Sequence, residues 1–330
     1  MRTTSTIIAI TATLVLGVWV AIEVSPWPSA LAIRYLFDSD AWRTNAALAG
    51  RVPAGVEARR NESYDPGEPD ARLDVFYPAA AHAEHRALLT IVWIHGGAFL
   101  SGSKDQITNY AQILAAGGYT VVTVDYSLAP ERKYPTPLRQ LNAALTYLQE
   151  NAARLHVDPQ RFVVAGDSAG ALLAAQVANI ATSPDYAHAL GLAPTLKPSQ
   201  IIGLLLYCGP YEMRRPGAAG ALGWFLRTVL WSYSGRRDFA NDPRLATLAV
   251  VNYLTPQFPP SFISVGNADP LSQQSYALAA ALRARGVRVD SLFFADDYAA
   301  RLPHEYQFNL NTDAARLALE RAQKFLTSLH

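Results

Sequence analysis

Short apolar runs separated by amphipathic stretches recur along most of the chain. Residues 88–94 (LLTIVWI), 119–124, 161–165, 201–207 and 262–265 are nearly uninterrupted and rich in β-branched side chains, a pattern that predicts buried strands. Residues 71–78 (ARLDVFYP) alternate over a few positions and predict an early edge strand, and 289–294 predict a last one. Between these runs, 106–117, 138–148, 169–180, 272–285 and 312–328 carry apolar residues at helical spacing. The first ends at Gly117-Gly118 and the fourth at Gly286, where glycine stops a helix. Residues 50–70 read as a connection with one strand, and 79–85 as a polar turn. Strands and helices alternating in this rhythm predict an α/β fold, a mostly parallel sheet covered on both faces.

Two stretches break the rhythm. Residues 7–22 (IIAITATLVLGVWVAI) are uncharged and strongly apolar, near the short end for crossing a bilayer, and Arg2 precedes them. They are expected to anchor the chain in a membrane, with the catalytic part outside the cytoplasm. The alternatives are a cleaved signal, leaving a secreted or periplasmic protein, and a helix packed on a cytoplasmic domain. Pro26-Trp27-Pro28 ends that segment, and 29–38 (SALAIRYLFD) again have helical spacing, suited to covering an active-site mouth or resting on a membrane surface. The second break, 209–260, is rich in Pro and Gly around a Trp/Phe/Leu-rich helical piece at 222–233 and reads as a lid. The organisation is thus a hydrophobic segment (1–24), a cap or linker (25–60) and a catalytic domain (61–330). Trp224, Phe225 and Trp231 are candidates either to line an apolar acyl pocket or to form the lid's own core.

Composition narrows the function. Of 330 residues, 50% are apolar and 17% charged, so a large buried core is expected and global disorder is excluded. A net charge of +1 without a dense Lys/Arg patch argues against nucleic acid as a partner. The single cysteine, Cys208, sits in the apolar run IIGLLLYC and excludes an internal disulfide or a multi-cysteine metal site.

The chemistry centres on 162–175, a β-branched run, then Gly166-Asp167-Ser168-Ala169-Gly170, then an Ala/Leu-rich helix. Strand, sharp turn and helix expose the Ser168 hydroxyl at the end of a central strand, with small residues where strand and helix crowd together. Attack on an ester carbonyl needs a base for the serine proton, an orienter for the base and fixed donors for the oxyanion. His304 follows the last strand and is the candidate base. Asp269 ends a buried-strand pattern and is the candidate orienter, with Asp296 and Asp297 as competitors. Gly96 and Gly97, at the end of a strand, offer backbone N–H groups with no side chain in the way, and Ala169 N–H, at the helix start, is the third donor. His95 is expected to shape the glycine loop.

These pieces together resemble the hormone-sensitive-lipase branch of the α/β-hydrolases. The matching motifs are H-G-G-A-F at 95–99, V-D-Y-S-L-A-P-E at 124–131, Y-P at 134–135, G-D-S-A-G at 166–170, D-P-L at 269–271, and His304. The resemblance implies an eight-stranded sheet, a helical cap, a Ser168–Asp269–His304 triad, an oxyanion hole at Gly96, Gly97 and Ala169, and neither metal nor organic cofactor. It departs at Glu305-Tyr306, where the family usually has Gly-Phe, at Ser127, where arginine is common, and across 183–260. The expected activity is hydrolysis of carboxylic esters, of small molecules or lipids, with an apolar acyl chain. Deacetylase, lactonase and amidase activities on the same groups are the alternatives, and a non-catalytic binding protein of hydrolase fold is the alternative from another class. The oligomeric state is not legible.

Overall fold

The computed structural model describes residues 2–213 and 220–329, with side-chain surroundings from residue 11 onward. In chain order the elements are α1 (Arg2–Val24), α2 (Trp27–Leu48), β1 (Val56–Ser63), β2 (Arg72–Pro78), α3 (Ala79–Ala83), β3 (Leu88–Ile94), α4 (Thr108–Ala115), β4 (Thr120–Val124), α5 (Thr136–Glu150) and β5 (Val157–Asp167). Then follow α6 (Ala169–Thr182), α7 (Pro184–Leu190), β6 (Ile201–Tyr207), α8 (Gly220–Ser234), β7 (Ser261–Val265), α9 (Ser272–Arg283), β8 (Val289–Phe293) and α10 (Asp313–Thr327). The strands form one eight-stranded sheet in the order β1-β2-β4-β3-β5-β6-β7-β8. β2 runs antiparallel to both neighbours, and the other pairings are parallel.

The strand pattern explains the two-layer cover. Val92 and Ile94 of β3 face the core shared with α5 and α6, while Ile91 and Trp93 face the core shared with α4 and α10. Strands buried on both faces read as continuous apolar runs, which is why β3 and β6 coincide with their expected bounds. α6 is buried along almost its whole length, and its alanines let it lie close to the sheet. At Gly170 a Cβ would come within 2.0 Å of the Ile94 carbonyl oxygen, so nothing larger than glycine fits there.

The helical stretch expected at 29–38 is longer and forms α2. It is pinned across the carboxyl ends of the strands by polar contacts at both its ends. Arg34 makes a two-toothed ion pair with Glu131 at 2.6 and 2.7 Å and donates to the Leu100 and Ala129 carbonyls. Asp38 accepts from Gly102 N and Gln106 Nε2, and Asn45 accepts two hydrogen bonds from Asn109. α8 occupies the expected lid region, of which 214–219 lie outside the described residues. Among the described residues no single helix is long and apolar enough to cross a membrane; Thr11–Val24 and Trp27–Arg51 pass that test only as a pair, bent by 93°. The expected membrane-spanning helix is therefore reduced to this bent pair.

Candidate active site

β5 delivers its last residue, Asp167, and then Ser168 into a turn that only a sharp reversal allows. Ser168 has φ 50° and ψ −121°, a sparsely populated conformation for a side-chain-bearing residue. Its N–H donates to the Tyr207 carbonyl at 2.9 Å, which ties the turn to β6. Ala169 is the first residue of α6, so its N–H has no intrahelical acceptor and points out of the positive helix end.

His304 and Asp269 are brought together by two loops that clasp each other beyond β7 and β8. Ala268 N donates to the Leu302 carbonyl at 3.0 Å, and Leu302 N to Asn267 Oδ1 at 2.9 Å. His304 Nδ1 lies 2.8 Å from Asp269 Oδ2, while Leu271 N donates to Asp269 Oδ1 at 2.7 Å. Since the carboxylate only accepts, Nδ1 carries the proton and Nε2 is left as the basic nitrogen. Asp296 and Asp297 are exposed beyond β8 and are not His304's partners.

Cys208, in the apolar run at the end of β6, is buried, and its left-handed backbone, φ 46°, sets the thiol beside this pair, which no local pattern signals. Ligand-type atoms of Cys208, Asp269 and His304 all lie within 4.8 Å of one another. For His304, burial is the largest influence and opposes the charged ring. Cys208, the Asp269 hydrogen bond and Glu305 act the other way and raise the imidazole well above its ordinary value. Burial also pushes the Cys208 thiol up, so it is neutral near pH 7 and its share of that effect falls away.

The glycine loop after β3 differs from expectation in one donor. Gly96 N donates to Asp167 Oδ2 at 2.9 Å and is not free for an oxyanion. The N–H groups of Gly97 and Ala98 find no acceptor among the described residues, and Ala98 takes a left-handed φ of 54°. Gly97 has φ 98°, and a Cβ there would lie 2.2 Å from the Ser101 carbonyl oxygen, so the tight turn requires glycine. Ala98 is thus a donor candidate missed from sequence, because which amide is free depends on where a distant carboxylate points. His95 shapes the loop as expected: its ring stacks on Tyr126 at 4.3 Å and its Nδ1 donates to the Gly96 carbonyl. Phe99 stacks on Tyr233 of α8 at 4.0 Å, so the lid braces the loop.

Ser168, His304, Gly96 and Gly97 open into one cavity of about 350 Å³. Phe37, Ala41, Thr44 and Leu48 of α2 line it, together with Ile107 and Phe308. Of the two readings open for Trp224, Phe225 and Trp231, lining this cavity does not hold; Phe225 packs on Phe37 at 5.8 Å. The acidic side chains on the lining are Asp40, Asp167 and Glu305, with no lysine or arginine among them. Ser127, at the position where arginine is common, donates to Asp70 and accepts from Gln140.

Comparison with known proteins agrees with this geometry. Residues 91–299 match the family described by the alpha/beta hydrolase fold. The chain is 31% identical over 237 residues to carboxylesterase NlhH of Mycobacterium tuberculosis, covering 70% of each chain. It is 30% identical over 203 residues to an acetyl esterase of Salmonella paratyphi B, covering 59% of each. Among solved structures, esterase B from Lactobacillus rhamnosis superposes with a TM-score of 0.76 at 25% identity, over 91% of this chain and 96% of that one. A sheet of this order, a serine at the β5–α6 turn and these relatives lead to one placement: the chain belongs to the α/β-hydrolase family, in its hormone-sensitive-lipase-like esterase branch.

Proposed function

We propose that Ser168, His304 and Asp269 carry the hydrolysis of carboxylic esters with short apolar acyl chains. The chain is a carboxylic-ester hydrolase, and its groups supply each step. His304 Nε2 accepts the Ser168 proton as the hydroxyl oxygen attacks the carbonyl carbon, and Asp269 holds the ring in the needed tautomer. The Gly97, Ala98 and Ala169 N–H groups receive the oxyanion. His304 then protonates the departing alcohol and takes a proton from a water whose oxygen attacks the acyl carbon; the bond to Ser168 Oγ breaks, His304 returns the proton to that oxygen, and the acid leaves. The observation that carries this reading is the convergence on one cavity of a serine in a strained turn, an oriented imidazole and unclaimed backbone donors. A cavity of about 350 Å³ with apolar walls suits a short acyl chain.

The decisive experiment measures turnover of p-nitrophenyl esters of increasing acyl length, beside amides and acetylated sugars, with Ser168→Ala as blank. Turnover is expected to be highest on short acyl esters and absent from the blank. A blank as active as the wild type removes the assignment of Ser168, and a clear preference for amides or acetylated sugars replaces the substrate class.

We further propose that the protein associates with a membrane through α1 and the outer side of α2. Leu14, Val15, Leu16, Val18, Trp19, Val20 and Val24 of α1 are between 43% and 69% exposed, and Tyr35, Leu36 and Trp42 of α2 between 50% and 75%. An apolar surface of this extent is stable in lipid and costly in water. Arg2 ahead of it favours the catalytic part lying outside the cytoplasm. Full-length protein should float with phosphatidylcholine vesicles in a density gradient; recovery of all of it in the aqueous fractions rejects the anchor.

A further inference from the structure

The residue after the base departs from the family pattern and has no part in the steps above. Glu305 has a left-handed backbone, φ 58°, where glycine costs least, so a side chain is kept there against a conformational penalty. Its Oε1 lies 3.8 Å from His304 Nε2, and its side chain is 36% exposed, on the cavity wall. A Cβ on Gly96 would lie 3.0 Å from that same oxygen and 2.4 Å from Asp167 Oδ2, so the two carboxyls meet over the Gly96 backbone. Asp167 is buried and receives hydrogen bonds from Trp93 Nε1 at 2.8 Å and Gly96 N at 2.9 Å. Burial first, and Glu305 second, push Asp167 well above the usual carboxylate range. Asp167 therefore keeps its proton at neutral pH beside Glu305.

We propose that Glu305 is a positioning residue for His304: its carboxyl bridges Asp167 at the end of the nucleophile strand and the Nε2 edge of the imidazole, and it presents negative charge to the ring when the ring takes the Ser168 proton. The base-bearing loop and the oxyanion loop are thereby joined through one pair of acids. The proposal rests on the ester-hydrolase reading. The groups facing His304 are Asp269 after β7, Cys208 after β6 and Glu305; those facing the acid pair are His95 after β3, Tyr110 of α4 and Tyr126 after β4. Burial lowers His95 and raises Cys208 and both tyrosines, so all four are neutral near pH 7. The charges that act on the ring are those of Asp269 and of Glu305.

The sign follows. His304 works as a base only when neutral, and negative charge beside it raises the pH at which it becomes neutral. Glu305→Gln retains a group able to donate to Asp167, and the charge retreats to Asp167, farther from the ring. The acid limb of kcat/KM is expected to move to lower pH by roughly half to one unit, and kcat to fall roughly three- to tenfold, one unit corresponding to a factor of ten. Glu305→Asp retains the charge on a shorter stem and should return part of the shift. An NMR titration of the His304 imidazole in full-length protein reads the same displacement without turnover. An enzyme that cleaves no ester but shows the displaced titration refutes the functional reading while establishing the electrostatic contact between Glu305 and the imidazole. An imidazole titration and acid limb in Glu305→Gln that coincide with the wild type overturn it, even if kcat falls, since a residue that merely packs would lower kcat without moving either.

Discussion

Replacing Asp269 by asparagine tests the site with a change of one atom, and the structure fixes how the new side chain must sit. In the wild type Leu271 N donates to Oδ1 at 2.7 Å and His304 Nδ1 to Oδ2 at 2.8 Å. The asparagine oxygen satisfies only one of these donors. Turning the NH2 towards Leu271 N sets donor against donor in a fully buried spot, at a cost of about 1–3 kcal/mol, or roughly 5- to 150-fold in population. The oxygen therefore stays with Leu271 and the NH2 faces His304. Nδ1 must then offer its lone pair, the ring proton moves to Nε2, and no base faces Ser168. The lost carboxylate, whose side chain is 0% exposed, also no longer stabilises the imidazolium. Together these lower kcat by about 10³- to 10⁴-fold, with KM and melting temperature little changed. Steady-state kinetics on p-nitrophenyl acetate, with thermal melting as control, makes the measurement. Activity within tenfold of the wild type, or a larger loss in Asp296→Asn, refutes the assigned orienter.

Two further outcomes follow from Asp167. Its two oxygens accept from Trp93 Nε1 and Gly96 N, so Asp167→Asn leaves one donor facing an NH2. A loss of about 1–3 kcal/mol in urea unfolding is expected, with a fall in kcat as the Gly97–Ala98 turn loses its support; unchanged stability would mean the carboxylate is not the anchor. The pH dependence has a definite sign. Asp167's folded value is raised, so the folded state holds this proton more tightly than the unfolded chain. Its contribution to stability is complete below the ordinary carboxylate value of about 3.9 and is lost as pH rises through the folded value. Unfolding free energy measured from pH 5 to 9 should decline more steeply in the wild type than in Glu305→Gln; equal slopes contradict the paired acids.

Local pattern carried the sheet and the serine turn because both are written in adjacent residues. β3 and β6 are apolar on both faces, and Gly166 through Gly170 combine a strand end, a reversal and a helix start within one short stretch. The pairing of Asp269 with His304 was anticipated because each follows a recognisable strand. What escaped depends on contacts between distant segments. Gly96 and Gly97 are equivalent on paper, and only the reach of Asp167, 71 positions on, removes the Gly96 amide from service. α7 went unseen in a stretch dominated by Pro, Ala and Leu, and β5 extends further back than its apolar centre, starting at Val157. The aromatic residues of the lid looked suited to a pocket, yet their spacing is equally that of a packed helix, and Tyr233 and Phe225 act as supports.

α2 has a consequence for how the enzyme's selectivity is stored in the gene. The groups proposed to react all come from residues after position 94, whereas Phe37, Ala41, Thr44 and Leu48 line the same cavity from before it. The two parts are free to diverge at different rates: exchanging the first fifty residues between relatives would reassign which esters enter while the bond-breaking apparatus is inherited intact.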